Sequence, residues 1–256
     1  MIAWPFLRVI LHLLQGLATC AIVFPFVSTK RKESLVRNWS SALLRILRVR
    51  VEVKLIGARP STQRALIVAN HVSWLDIFVI NSLQPCHFVA KADIRNWPLL
   101  GWLCEQAGTI FIARGKRRET RRVQEGLVTS ILRGQRIAFF PEGTTAAQGN
   151  LLPFHSNLFE AAISAGVPIK PYAVRYLDAQ GNLNAAANFI GDTTFVDSMM
   201  LILKTRGMHA QLIELPLIDS SELDRRALSA RAHAAIANAL QADSSAPDEK
   251  RDVASE

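Results

Sequence analysis

Apolar and polar positions change their spacing several times along this chain, and each spacing predicts a different element. From Val9 to Val27 the residues read VILHLLQGLATCAIVFPFV, nineteen without a formal charge, interrupted by His12, Gln15 and Pro25. At about 1.5 Å rise per residue this helix comes near the ~20 residues needed to cross a bilayer. Over residues 34–50 the apolar positions recur at helical spacing instead, with Leu35, Trp39, Ala42, Leu43 and Ile46 on one face and Arg37, Ser41, Arg45 and Arg48 opposite. Val51-Glu-Val-Lys-Leu-Ile then alternates in period two like an edge strand, and Ala65-Leu-Ile-Val-Ala is a continuous apolar run like a central one. Further runs at residues 109–113, 136–140 and 168–176 alternate with helical material. The pattern predicts an α/β fold, a mostly parallel sheet flanked by helices and preceded by an N-terminal membrane-associated helical segment. Its parts are anchoring helices over 1–50, the α/β domain over 51–242 with a last helix at 221–241, and a disordered tail over 243–256.

Two other readings of the first apolar stretch compete. A cleaved secretory signal fits poorly, because Cys20 is followed by Ala-Ile-Val-Phe-Pro-Phe-Val where a polar mature chain is usual. A core-packed helix fits the polar interruptions as well as a lipid-facing one does. The amphipathic helix after it, with Trp39 on the apolar face and arginines behind, suits a lipid interface, and an ordinary surface helix packed on the domain has the same pattern. A single Arg8 precedes the apolar run while Lys30, Arg31 and Lys32 follow it. That asymmetry keeps the downstream domain on the cytoplasmic side of the cell inner membrane.

Composition narrows the class. Of 256 residues half are hydrophobic and 20% charged, which excludes a disordered chain, and 13 Gly with 11 Pro exclude a collagen-like one. Cys20, Cys86 and Cys104 are odd in number, scattered and outside any C-x-x-C pair, which argues against a disulfide framework or structural zinc. The net charge of +9 is concentrated, since residues 30–64 hold ten basic side chains against Glu33 and Glu52. An anionic partner is expected there: nucleic acid, acidic lipid head groups or an acidic carrier protein.

In sheets of this kind ligands bind beyond the carboxyl ends of the strands. After residues 65–69 comes Asn70-His71-Val72-Ser73-Trp74-Leu75-Asp76, where an imidazole and a carboxylate meet at a strand-to-helix turn. A carboxylate on one ring nitrogen fixes the tautomer and supports the imidazolium, which makes the other nitrogen a general base. The plain alternative is a turn histidine beside a capping box, Ser73-x-x-Asp76 with Asp in the place of Glu. After 109–113 comes Arg114-Gly-Lys-Arg-Arg-Glu-Thr-Arg-Arg. Arg114, nearest the strand end, is placed to grip a phosphate through two parallel hydrogen bonds, and the later arginines suit a solvated helix surface. After 136–140 comes Pro141-Glu142-Gly143-Thr144-Thr145, a turn able to cradle a phosphate or an oxyanion.

Taken in order, NHVSWLD at 70–76, GTIFIARG at 108–115, FPEGTT at 140–145 and VPIKP at 167–171 resemble the four motifs of the glycerolipid acyltransferases of the 1-acylglycerol-3-phosphate O-acyltransferase type. The resemblance covers about residues 50–180, and residues 181–256 add little to it. It implies transfer of a fatty acyl group from acyl-CoA or acyl carrier protein to the hydroxyl of 1-acylglycerol-3-phosphate at a membrane, giving phosphatidic acid for phospholipid synthesis. It also implies no metal, no cofactor beyond the donor and no nucleic acid. By that likeness His71 is the general base, Asp76 orients it, and Arg114, Glu142, Gly143 and Thr144 bind the acceptor's phosphate. This chain departs from the family at Phe154-His155-Ser156-Asn157, where Phe-Lys-x-Gly is common, and at Lys170, where an apolar residue is. Lys170 either supplies part of the missing charge or points away from the strand. The departures leave room for another acceptor, such as a lyso-ornithine lipid. A hydrolase lacks support, since neither G-x-S-x-G nor H-E-x-x-H occurs. A non-enzymatic basic protein binding membrane or nucleic acid stands as the other class, on the strength of the charge alone.

Overall fold

The computed structural model describes residues 3–57, 64–97, 99–112 and 117–242. Seven strands form one mixed sheet: β1 (Val49–Leu55), β2 (Leu66–Ala69), β3 (His87–Lys91), β4 (Ile110–Ile112), β5 (Ile137–Phe139), β6 (Ile169–Leu177) and β7 (Met208–Glu214), in the order β1-β7-β6-β2-β5-β3-β4. The five strands from β6 to β4 run parallel, β7 runs antiparallel to β6, and β1 parallels β7. The sheet is mostly parallel, as the periodicity predicts. β3 and β7 are additions to the strands predicted from the sequence.

Strand position explains the sequence patterns. β2 lies between β6 and β5 and is buried at all four positions, which is why it reads as unbroken Leu-Ile-Val-Ala. β1 is an outer strand with solvent on part of its surface, hence its alternation. Side chains divide by parity between two cores. Ile67, Ala69, Tyr172, Val174, Tyr176, Met208, Ala210 and Leu212 point to one, while Leu66, Val68, Ala173 and Ile213 point to the other.

Helices cover both faces. On the first core lie α1 (Ala3–Ala18), α2 (Thr29–Ile46), α3 (Leu75–Leu83) and, further along the chain, α7 (Phe195–Lys204). The second is covered by α5 (Arg117–Leu132), α6 (Glu160–Ala165) and α8 (Arg225–Ala242), while α4 (Leu100–Gln106) links β3 to β4. α8 matches the predicted carboxyl-terminal helix, and the tail over 243–256 lies outside the described residues.

The amino-terminal helix continues past α1 through a π-helical turn at Thr19–Val23 and a 3₁₀ turn at Phe24–Phe26, where Pro25 withholds a backbone donor. Residues 3–26 together are long and apolar enough to cross a membrane. Trp4, Leu7, Leu11, Leu14, Ile22 and Phe26 lie exposed, whereas Val9 is buried against the domain. Polar His12 turns inward: its Nε2 pairs with the Trp39 carbonyl at 2.9 Å, Trp39 Nε1 donates to the His12 carbonyl at 3.1 Å, and the two rings stack. A Cβ at Gly16 would stand 2.7 Å from Trp39 Nε1, so the missing side chain is what admits the indole.

This corrects the lipid-interface reading of α2. Its apolar face is core: Leu43, Leu44 and Ile46 are buried, and Trp39 packs between α1 and Phe78 of α3. Helical amphipathicity reports a buried face without saying what buries it.

Candidate active site

β2 and β5 are neighbours whose chain connections leave in opposite directions. After β2 the chain runs through α3, on the first core, to β3; after β5 it runs through α6, on the second core, to β6. Diverging connections open a crevice at the carboxyl ends of adjacent parallel strands. NHVSWLD fills the end of β2 and FPEGTT the end of β5.

Asn70 continues β2 by imitation. Its side-chain amide donates to the Val174 carbonyl at 2.9 Å and its carbonyl accepts from the Val174 amide at 2.7 Å, as a strand residue's backbone would. Beyond it, His71 is tied by its backbone to the FPEGTT turn. The His71 amide donates to Glu142 Oε1 at 2.7 Å, and its carbonyl accepts from the Ala146 amide at 2.8 Å. Its ring stacks on Phe140 at 3.9 Å and 7°, and Phe88 backs Phe140. The imidazole is thus braced on a face and by the main chain, with 18% of the side chain exposed.

Asp76, in the first turn of α3, is fully buried. Its Oδ2 faces His71 Nδ1 at 2.8 Å and accepts the amides of Val72 at 2.8 Å and Ser73 at 2.9 Å. An oxygen already receiving two amides is an acceptor, so the proton between it and the ring belongs to Nδ1. The lone pair of Nε2 is left for chemistry. The same oxygen thus makes the return bond of a capping box to the Ser73 amide and meets the His71 ring. Its Oδ1 accepts the Tyr176 hydroxyl at 2.6 Å from β6. Neither Tyr176 nor Asn70 is legible as a site residue in the sequence, because their partners lie about a hundred positions away.

Glu142 links the two turns, since its Oε2 accepts the Leu152 amide at 2.9 Å while Oε1 holds His71. Gly143 follows with φ +68, a conformation that favours glycine, and Thr144 is exposed. Thr145, one position on, is structural, its hydroxyl donating to the Phe189 carbonyl. The structure thus joins His71, Asp76 and Glu142 by hydrogen bonds and sets Gly143 and Thr144 beside them. Arg114 lies outside the described residues. Lys170 is paired with Glu214 at 2.5 Å, which assigns it to the sheet interior and leaves no free charge there for an acceptor. Among the described residues no group of three His, Cys, Asp or Glu side chains is placed to hold a metal ion.

Desolvation pushes the Glu142 carboxyl above the ordinary glutamate range, and the bonds from Leu152 and His71 offset this only in part. A carboxyl whose folded pKa exceeds its unfolded one lowers native stability as pH rises through that interval. Glu142→Gln removes the titration while setting an amide donor against a backbone N–H. The variant should melt below wild type, with the gap narrowing as pH rises from about 4 to about 7. Thermal unfolding in detergent across that range checks this, and a gap that widens would contradict it.

The family profile described as Acyltransferase matches residues 50–175. The chain is 40% identical over 214 residues, 83% of its length and 80% of the relative's, to a lyso-ornithine lipid O-acyltransferase from Pseudomonas aeruginosa. It is 39% identical over 142 residues, 54% of its length and 56% of the relative's, to a 1-acyl-sn-glycerol-3-phosphate acyltransferase from Neisseria gonorrhoeae. The fold resembles the crystal structure of a 1-acyl-sn-glycerophosphate (LPA) acyltransferase from Thermotoga maritima, with a TM-score of 0.67 at 17% identity, covering 97% of this chain and all of that one.

Proposed function

Because the chain belongs to the acyltransferase family, we propose that it moves a fatty acyl group from a thioester donor to the hydroxyl of a lysolipid, with His71 as general base. The observation that carries this is the Nδ1–H bond from His71 to a buried, amide-held Asp76, which leaves Nε2 free at the mouth of the crevice. Nε2 takes the proton of the acceptor hydroxyl as its oxygen attacks the thioester carbonyl. The tetrahedral adduct collapses by expelling the thiolate, which recovers the proton from the imidazolium. Ester and free thiol leave, and His71 is neutral again. A thioester is already activated, so holding the reactants in line and relaying one proton supply most of what the reaction needs. The donor is acyl-CoA or an acidic acyl carrier protein, for which the basic excess of the chain is suited.

Membership in an enzyme family sets aside the reading as a purely binding basic protein. For the acceptor, the proposal favours lyso-ornithine lipid. Likeness to the relative of that name runs through four-fifths of both chains, Phe154–Asn157 lacks the usual lysine and glycine, and Lys170 is spent on Glu214. Lysophosphatidic acid is the second reading, supported by the FPEGTT turn and by the Neisseria relative. The amino-terminal apolar helix associates the enzyme with a membrane. The basic residues that follow it support the inner membrane with the catalytic domain in the cytoplasm.

The test is acyl transfer by membranes carrying the chain, with labelled acyl-CoA or acyl carrier protein offered alongside each acceptor. Labelled ornithine lipid at a rate well above labelled phosphatidic acid is expected. The opposite ranking moves the assignment to lysophosphatidic acid, and no product from either acceptor overturns it.

A further inference from the structure

We propose that Tyr176 is a positioning residue for the base: its hydroxyl holds Asp76 in the orientation that faces His71 and draws charge from that carboxylate. This rests on the reading of His71 as general base. The three donors described above all converge on Oδ2 of Asp76; among the described residues the donor to Oδ1 is Tyr176. With Asp76 at zero exposure that oxygen is shielded from bulk solvent, and the phenol satisfies it. At 2.6 Å the contact has the length of a charge-assisted O–H···O⁻ bond.

The phenol is itself held. The Tyr176 ring is fully buried, its amide donates to Gln148 Oε1 at 2.6 Å, and its carbonyl accepts the Asn184 amide at 2.9 Å. Burial, reinforced by the adjacent Asp76 charge, pushes the phenol well above its ordinary value, so it stays a donor wherever the enzyme works. The titratable groups bonded to His71 are Asp76 on α3 and, through its backbone, Glu142 after β5, with Tyr176 on β6 joined through Asp76. A hydrogen bond to Asp76 makes that carboxylate a weaker partner for an imidazolium. Loss of the phenol therefore strengthens Asp76 as a partner for an imidazolium.

The experiment is Tyr176→Phe, read in two ways. The kcat/KM profile should fall by about 10- to 100-fold at neutral pH, the size of losing one charge-assisted bond, and its acid limb should move up by about half a unit or more. Titration of His71, followed by carbon-13 NMR in histidine-labelled protein and assigned with His71→Ala, should move up by the same amount. That second readout needs no turnover, so failure of the acyltransferase reading and failure of this inference are separable. Should the phenylalanine variant not fold, difluorotyrosine at position 176 keeps the ring and strengthens the donor, and the His71 titration should move down. In an Asp76→Asn background Tyr176→Phe should have little further effect on kcat/KM. An unmoved His71 titration in the folded variants, or effects that multiply in the double variant, would overturn the proposal.

Discussion

Replacing His71 by alanine is expected to lower acyl transfer by about 10³-fold, within the range that a positioned general base contributes. The loss belongs to chemistry, because the side chain does little for the fold. His71 is anchored to Glu142 and Ala146 through its backbone, which alanine keeps. The imidazole is partly exposed, and its main packing partner, Phe140, retains Phe88. The variant should reach the membrane in normal amount, bind donor and acceptor, and turn over slowly, so kcat falls while KM changes little. Steady-state kinetics of purified protein at matched expression measures this. Activity within threefold of wild type would remove His71 from the mechanism.

Asp76→Asn is the second large effect, about 10²- to 10³-fold in kcat. An asparagine whose carbonyl takes the place of Oδ2 can still accept from Nδ1, Val72 and Ser73, while its amide faces a Tyr176 hydroxyl able to accept. The turn survives, and what disappears is the negative charge that stabilises the imidazolium as the proton arrives. Without that charge the acid limb of the pH profile should move down even as the plateau drops. Asp76→Ala behaves differently. It leaves two backbone amides and a phenol buried without an acceptor, at about 1–3 kcal/mol each, and should lower yield and Tm before activity can be compared. Wild-type turnover in the asparagine variant would mean that Asp76 acts only as a cap.

Much of this site is visible in the chain itself, for a local reason. His71 and Asp76 are five positions apart at one turn, and Glu142 stands beside the strand that adjoins β2, so short motifs carry their meeting. Asn70 and Tyr176 escape because their partners are distant and their roles are ordinary in isolation, an amide imitating backbone and a strand aromatic. The strands divide in the same way. β2, β5 and β6 announce themselves as apolar runs. β7 does not, because Met-His-Ala-Gln-Leu-Ile-Glu carries Gln211 on a buried face, where it accepts from Arg175 of β6 at 2.8 Å. A polar pair matched across two strands has no signature in either one. Trp39 misleads for the complementary reason: a tryptophan backed by arginines reads as an interfacial residue, and only the absent side chain of Gly16 shows that a second helix receives it.

The distances along the chain between Asn70 and Val174 and between Asp76 and Tyr176, 104 and 100 residues, also set an order of events during synthesis. The helix at residues 3–26 leaves the ribosome before the α/β domain and can reach a bilayer while the downstream half is still untranslated. NHVSWLD emerges next, carrying its histidine and aspartate but lacking Glu142, Val174 and Tyr176. Contacts so far apart form only after the intervening chain is available, and loop closure over that span is slow. On the proposed function, the base is completed only when β6 is made, so contact of the first helix with lipid would come before activity. Termination between residues 146 and 170 would preserve three of the four sequence motifs and yield a protein that is attached but inert.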